Sequence, residues 1–326
     1  MTASAMPREA ATVSELVAQA KQNPLRWLVP DLLLEDGVHI LHGAEESFKT
    51  MLTLQLLEAL TIGGRFLLRD VAGRLRTGIA ELEMKNTQFA HRVAEFFPNG
   101  NPDISNLPDS LRRKALSGRN AKDRIGIIAG WAESEGLEFV AIDSVVKLFP
   151  PGCDPSKPDI ASDVFNELQR LPTVWAIAHD RKPMAGFAAR LGNAEIVGSG
   201  RFAQDPDVIH QIVRPDQRAP RADFHWGKMR AGEKFDPVPL YFDKVNYRLY
   251  PLHPYIHLLT NQPVLGSDLV IQAKLRYGWE ERWAREHLAT LSNLRDGAGN
   301  ICVIETMKGH QKLYAMSGTP VASYSP

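Results

Sequence analysis

The chain has 326 residues, with 38 Lys and Arg against 38 Asp and Glu, and its 44% hydrophobic and 23% charged residues are ordinary globular usage. Zero formal charge excludes a generally polycationic binder, and the length fits one large domain with an appendage or two domains. No apolar run approaches the roughly eighteen residues of a membrane span, and Arg8 and Glu9 stand where a secretory apolar segment would lie, so no membrane association and a cytoplasmic location are expected.

Residues 1–36 read as an N-terminal arm, with a short helix near 13–21 and an apolar anchor, Trp27, Leu28, Val29 and Pro30, that should pack on the core. From 37 to 250, apolar runs of strand length alternate with helical stretches, which predicts a βαβ series and a parallel sheet. Strands are predicted at 38–42, 77–83, 138–143, 174–179, 208–213 and 222–228, with helices beginning near Lys49, Thr87, Ala121 and Asp159. Prolines flanking Leu252 and His253 mark a boundary. Beyond it, helical stretches at 255–261, 267–277 and 280–294 precede strand-like runs at 301–306 and 312–316, with Gly309 as the turn between them. Three helices and a hairpin predict a small winged-helix-like module over 255–316 and a frayed tail at 317–326. Cys153 and Cys302 are too few for a disulfide framework or a cysteine zinc site.

The first predicted strand runs into Gly43-Ala44-Glu45-Glu46-Ser47-Phe48-Lys49-Thr50-Met51, and then into a helix with Leu52, Leu56 and Leu60 at i, i+4 spacing. This is the setting of a phosphate-binding P-loop. Backbone N–H groups of such a loop, with the helix N-terminus, can wrap a nucleotide's phosphates; Lys49 would reach the β/γ oxygens and Thr50 would hold Mg²⁺. The pattern G-x-x-x-x-G-K-[ST] is broken once, where Phe48 replaces the second Gly and restricts φ. Taken alone, the segment also reads as a solvated turn before an ordinary helix, and Glu45 and Glu46 repel phosphate unless they point outward.

The next strands end in residues with chemistry. In Glu81-Leu82-Glu83, strand alternation puts both carboxylates on one face, where one can act as general base for an attacking water. Phe139 to Asp143 is a buried-type strand of Walker B form; Asp143 would hold Mg²⁺ and Ser144 would help fix that shell. The fourth strand ends in His179, whose imidazole can hydrogen-bond a γ-phosphate or its water. Each of these also reads singly as a solvated or core polar residue; three consecutive strand ends carry more weight, since α/β sheets bind ligands at that edge.

Together these residues resemble the RecA-like ATPases of the DnaB and plasmid RepA hexameric helicase group, over roughly 27–250. Leu82-Glu83-Met84 with Gln88 and Arg92 is similar to that family's second-strand motif, which favours Glu83 over Glu81 as the catalytic base. His179-Asp180-Arg181-Lys182 resembles its sensor strand and basic exit, Gly198-Ser199-Gly200 its small-residue motif, and Lys228-Met229-Arg230-Ala231-Gly232 its K-x-R-x-G. The resemblance implies an α/β RecA-like P-loop NTPase core and a homo-oligomer, in particular a hexamer, using ATP and Mg²⁺. Arg230, assisted by Lys228, would enter the neighbouring subunit's site as a trans arginine finger.

In such rings the loops after the third and fourth strands line a central channel. Here these are 147–158 and 181–198, with Lys157, Arg181, Lys182 and Arg190 as cations and Phe149 and Phe187 as rings for base stacking. A second basic stretch over 111–124 carries Arg112, Arg113, Lys114, Arg119, Lys122 and Arg124, and reads either as a solvated face or as a phosphate-backbone contact. In the C-terminal module Trp279, Trp283, His287, Leu288, Leu291 and Leu294 form a helical stripe of core type, with Arg282, Arg285 and Asn293 opposite and Lys308 and His310 at the hairpin. That module suits DNA or a protein partner equally.

The expected function is a Mg²⁺-dependent ATPase that translocates along or remodels single-stranded DNA, with a replication protein as a further partner. The alternative is a low-turnover nucleotide-binding scaffold or regulator that uses the C-terminal module; a third reading is a recombination ATPase forming open filaments.

Overall fold

A computed structural model of the chain describes residues 12–22, 24–98, 100, 102–181, 192, 195–196, 200–215, 218–232, 234–251, 255, 258–259, 262–289, 291 and 303–316. Helix α1 (Val13–Gln22) leads into the short hairpin β1 (Trp27–Val29) and β2 (Leu33–Leu34), then β3 (Val38–Gly43) and α2 (Lys49–Ile62). A second small hairpin, β4 (Arg65–Phe66) and β5 (Arg69–Asp70), precedes β6 (Thr77–Glu81), α3 (Asn86–Phe96), β7 (Ile104–Asn106), α4 (Asp109–Ser117) and α5 (Ala121–Glu135). Next come β8 (Phe139–Asp143), a 3-10 turn (Val145–Leu148), α6 (Pro158–Leu168), β9 (Thr173–His179), the one-turn α7 (Arg201–Gln204) and β10 (Val208–Val213). The main sheet closes with β11 (Arg221–Met229), β12 (Val238–Asp243) and β13 (Arg248–Tyr250). Last are β14 (Val264–Leu265), α8 (Gly266–Tyr277), α9 (Glu281–Leu288), β15 (Val303–Lys308) and β16 (Gln311–Met316).

The main sheet has nine strands in the order β13-β12-β11-β10-β3-β9-β8-β6-β7. From β10 to β7 neighbouring strands are parallel; β11, β12 and β13 extend the sheet by antiparallel hairpin pairing. The expected parallel sheet is present from β10 to β7, and β11 to β13 extend it antiparallel because the connections from β10 to β13 are too short to cross over and can only turn back.

Strand alternation divides the core into two layers. Val140 and Ile142 of β8, with Val174 and Ala176 of β9, face a cluster containing Ile125 and Ile128 of α5 and Val164 and Phe165 of α6. Phe139, Ala141 and Trp175 face the other way, against Leu52, Leu56 and Leu60 of α2 and Phe89 and Phe96 of α3. Both faces of the parallel strands are covered, which accounts for their continuous apolar runs. Trp175 Nε1 donates to Thr53 Oγ1 at 3.0 Å, so this buried indole keeps its polar atom satisfied. The arm only partly meets expectation: Leu28 and Val29 are buried, whereas every described side chain of α1 is exposed.

Beyond β13, β14, β16 and β15 form a three-stranded antiparallel sheet beside α8 and α9. Their cluster includes Leu269, Tyr277, Trp279 and Leu291, together with Tyr241 of β12. Trp279 lies ahead of α9, Trp283 is half-buried, and Leu294 and most of 255–261 lie outside the described residues. No described helix is long and apolar enough to cross a membrane.

Candidate functional site at the carboxyl edge of the sheet

Strand register brings the predicted chemical groups to one edge. Gly43 pairs with His179, Glu81 with Asp143, and Asp143 with Ile177, so β3, β9, β8 and β6 all end at the same level. A cleft of about 560 Å³ opens there, lined among others by Ser47, Lys49, Thr50, Glu83, Asp143 and His179.

The loop from Gly43 to Phe48 turns tightly. A Cβ on Gly43 would lie 2.4 Å from Ile212 O and 2.7 Å from Ser47 Oγ, so only glycine fits. Ser47 Oγ donates to Ala44 O at 2.8 Å, and the Lys49 ammonium donates to Gly43 O at 2.8 Å and Ala44 O at 2.5 Å. Lys49 is buried, which lowers its pKa to about 8 against the pull of Asp143, Asp180, Glu83 and Glu45. Glu45 and Glu46 are exposed, which weakens the repulsion they would exert if turned inward.

Phe48 occupies the left-handed region at φ +70° and ψ 14°, where glycine is favoured and an L side chain costs about 1–2 kcal/mol. Its ring packs on Phe242, and the Arg214 guanidinium lies 4.3 Å from the ring centroid. Arg214 also donates to Glu46 O at 3.0 Å and to Ala219 O. Tertiary packing therefore holds a conformation that local preference opposes.

Thr50 Oγ1 donates to Asp143 Oδ2 at 2.7 Å, joining the head of α2 to the end of β8. Asp143 is 5% exposed, and burial raises its pKa while Thr50 opposes the rise. A hydroxyl and a carboxylate are hard oxygen donors suited to Mg²⁺, which takes one or two protein carboxylates alongside substrate phosphates. No cluster of three or more His, Cys, Asp or Glu that would form a fuller protein cage occurs among the described residues.

Glu81 and Glu83 part company. Strand β6 ends at Glu81, two residues before the predicted end, because the Glu81 side chain takes the next amides: Oε1 accepts from Glu83 N at 2.7 Å and Met84 N at 2.8 Å. Glu81 is 1% exposed, and burial together with Asp143 pushes its pKa up to about 7. Glu83 swings into the cleft, with Oε1 3.5 Å from His179 Nε2 and accepting from Ser144 Oγ. His179 and then Ser144 hold Glu83 down, to about 2, against partial burial. Ser144, expected to help fix the metal shell, donates its hydroxyl to Glu83.

Asp180, just past His179, accepts from Gln211 Nε2 at 3.2 Å and lies 2.6 Å from His42 Nδ1, while its amide donates to Gly43 O at 3.0 Å. This buried group ties β3, β9 and β10 beneath the loop.

Lys228 and Arg230 stand apart from these groups. Met229 pairs with Val208, and Val208 with His39, so both cations sit at the edge where β3 begins. Arg230 bonds Asp207 Oδ1 at 3.1 Å and Gln204 O at 2.8 Å; Lys228 donates to Pro206 O at 2.6 Å and to Gln204 O. Among the channel candidates, Lys157 and Arg181 are exposed, and Lys182, Arg190 and Phe187 lie outside the described residues. Phe149 is not available for stacking on bases: it is 5% exposed and stacks on Phe202 with centroids 5.6 Å apart. Gly198 and Ser199 also lie outside the described residues.

The basic stretch divides. Arg124 is buried and donates to Gly118 O, Leu116 O and Lys147 O, and Arg112 reaches Met84 O beside Glu83. Arg113, Lys114, Arg119 and Lys122 are exposed. Cleft residues without a strong sequence signal are Arg214, a lone arginine after β10, and Tyr247, in the β12–β13 turn; Arg92 of α3 also lines the cleft, while Gln88 accepts from Lys85 N at its helix start.

A family model described as an AAA domain matches residues 3–185, more than half of the chain. No curated protein sequence matches. Among solved structures, a DnaB-like replicative helicase, studied with its primase interactions, aligns with TM-score 0.54 and 13% identity, covering 74% of this chain and 68% of that one. A KaiC-like protein from the archaeon Pyrococcus horikoshii OT3 aligns with TM-score 0.50 and 13% identity, covering 70% of this chain and 100% of that one. At these identities the likeness is one of fold. The chain belongs to the AAA domain family, and its core has a RecA-like α/β fold.

Proposed function

We propose that this chain is a Mg²⁺-dependent ATPase that works as a ring-forming homo-oligomer, in particular a hexamer, and couples hydrolysis to movement along, or remodelling of, single-stranded DNA. The observation that carries the ATPase step is the meeting of Lys49, the Thr50–Asp143 pair and the Glu83–His179–Ser144 cluster in one cleft. The loop amides from Ala44 to Met51 and the Lys49 ammonium would bind the triphosphate at the head of α2. Thr50 and Asp143 would hold Mg²⁺, which when bound supplies positive charge to the phosphate oxygens. Glu83, already ionised, accepts a hydrogen bond from the lytic water and orients it, and His179 on the same carboxylate responds to the γ-phosphate. Arg214 and Tyr247 at the cleft offer planar surfaces for the base.

Lys228 and Arg230 cannot serve their own cleft from the opposite edge, which suits a role in the neighbouring subunit's site. Lys157 and Arg181, with Lys182 and Arg190, would face DNA. On this reading 37–250 is the ATPase domain, and 255–316 a winged-helix-like module that docks DNA or a replication protein.

The test is ATP hydrolysis with and without single-stranded DNA, for the wild type and Glu83→Gln. DNA-stimulated turnover that disappears in Glu83→Gln, with ATP binding intact, supports the motor. Saturable ATP binding with negligible wild-type turnover would instead select the scaffold reading, which the strained Phe48 favours.

A further inference from the structure

Between two parallel strands, each residue leaving the ladder needs a new partner for its N–H. Leu82 N still finds Asp143 O at 2.7 Å, but the next two amides, Glu83 N and Met84 N, have left β8 behind. The side chain of Glu81 takes both through a single oxygen, at 2.7 and 2.8 Å. This carboxyl is 1% exposed, and its second oxygen has no hydrogen-bond partner among the described residues. The bond to Glu83's own amide fixes that residue's Cα–Cβ direction, and from there its carboxylate meets Ser144 Oγ and His179 Nε2.

We infer that Glu81 is a positioning residue for Glu83: its buried Oε1 pins the backbone turn that aims the Glu83 carboxylate into the cleft. The role rests on the reading of Glu83 as the hydrolytic carboxylate. It requires an acceptor at the correct reach, not a charge. An amide in place of the carboxyl keeps that acceptor; a shorter acid keeps the charge and loses the reach; an aliphatic side chain keeps the volume and loses the acceptor.

The experiment compares Glu81→Gln, Glu81→Asp and Glu81→Leu in the full chain. ATP turnover is measured as kcat and KM, and hydrogen exchange is followed at the amides of Glu83 and Met84. Glu81→Gln should keep kcat within about twofold and keep both amides protected. Glu81→Asp and Glu81→Leu should lower kcat by about 100-fold, the effect of a small misplacement of a reacting group, with KM for ATP little changed and both amides exchanging faster. Equal damage from Gln and Leu, or fast exchange with unchanged kcat in Asp, would overturn the assignment. If Leu fails to fold, the Gln and Asp pair still decides it. Should the wild type hydrolyse no ATP, the proposed function fails, while the exchange pattern across the variants still tests the pinned turn: uniform protection would remove Glu81 from its role.

Discussion

Phe48 and Phe242 pack with ring centroids 4.8 Å apart and planes inclined by 33°, which couples the residue before Lys49 to strand β12. Trp279 Nε1 donates to the carbonyl of the same Phe242 at 3.1 Å, so the loop before α2, strand β12 and the C-terminal elements meet at one residue. This contact explains how an aromatic residue survives at φ +70°. Phe48→Ala keeps the left-handed cost and loses the ring, and should destabilise the protein by about 2 kcal/mol, less than a fully buried Phe→Ala change. Phe48→Gly loses the same ring but removes that cost, and should be about 1 kcal/mol more stable than the alanine variant. Urea denaturation should rank wild type above Phe48→Gly, and Phe48→Gly above Phe48→Ala; a glycine variant more stable than the wild type would show that the packing does not offset the strain.

On the proposed function, Lys49 would link nucleotide binding to alkaline pH. Its ammonium titrates at about 8 in the folded chain against 10.5 when free. The unfolded chain therefore binds more protons between those values, and Lys49's contribution to stability rises with pH across that window. Binding runs the other way, because the triphosphate needs the charged form. ATP affinity should be flat below about pH 7 and weaken by up to about tenfold per pH unit above 8. Titration of a fluorescent nucleotide between pH 6.5 and 9.5 measures this, and Lys49→Arg should flatten the alkaline limb. Glu83, held at about 2, should add no acid limb to binding or turnover near neutrality.

Two buried histidines should lower stability in acid. His39 accepts from Leu34 N at Nε2 and donates from Nδ1 to Val174 O, and His210 Nε2 meets Leu32 O amid Trp175, Phe224 and Trp226. Burial lowers His39 to about 4 and His210 to about 3. Both folded values lie below the unfolded 6.5, so the unfolded chain takes up protons first and stability falls as pH drops through 6.5. At pH 5 each histidine should cost the fold about 2 kcal/mol relative to pH 8. His210→Phe, which suits the surrounding rings, should lower the stability at pH 8 and remove about 2 kcal/mol of the loss between pH 8 and 5, a range over which Glu81, raised to about 7, acts in the opposite sense; an unchanged slope would locate the acid sensitivity elsewhere.

Much of this architecture is legible in the sequence where physics writes it locally. Buried parallel strands need continuous apolar runs, so β3, β8 and β9 and their terminal Gly43, Asp143 and His179 stand out. The end of β6 does not, because it depends on a side chain capturing the amides of its own chain, which alternation cannot register. Strand direction is likewise absent from composition, so antiparallel β11 reads like the parallel strands before it. Phe149 looks available in a loop, yet its ring completes a layer with Phe202 that only the tertiary fold assembles. Arg214 carries no pattern at all; its place over Phe48 follows from where β10 ends. Helix α4 had a readable signal in Leu111 and Ala115 at i, i+4 spacing, hidden beneath the surrounding charge.

The separation of Arg230 from the phosphate loop within one chain yields a sharp test of assembly. A head-to-tail contact between subunits would place one chain's edge bearing Arg230 against the next chain's cleft, the heterologous arrangement that closes into rings. Lys49→Ala removes the cleft and spares the finger, whereas Arg230→Ala removes the finger and spares the cleft. Each variant alone should lose ATPase activity, by about 10³-fold or more for the finger. Mixed and allowed to exchange subunits, they form interfaces in which an intact cleft from the Arg230→Ala chain faces an intact finger from the Lys49→Ala chain. Turnover should then rise well above either parent and scale with the fraction of such interfaces. Because Asp207 holds Arg230 at 3.1 Å within its own chain, Asp207→Asn in the wild-type background should leave ATP binding unchanged and alter turnover through the freed guanidinium. If mixing gives only the average of the two parents under conditions where subunit exchange is demonstrated by labelled chains, Arg230 acts on no neighbour, and its bonds to Asp207 and Gln204 are its whole role.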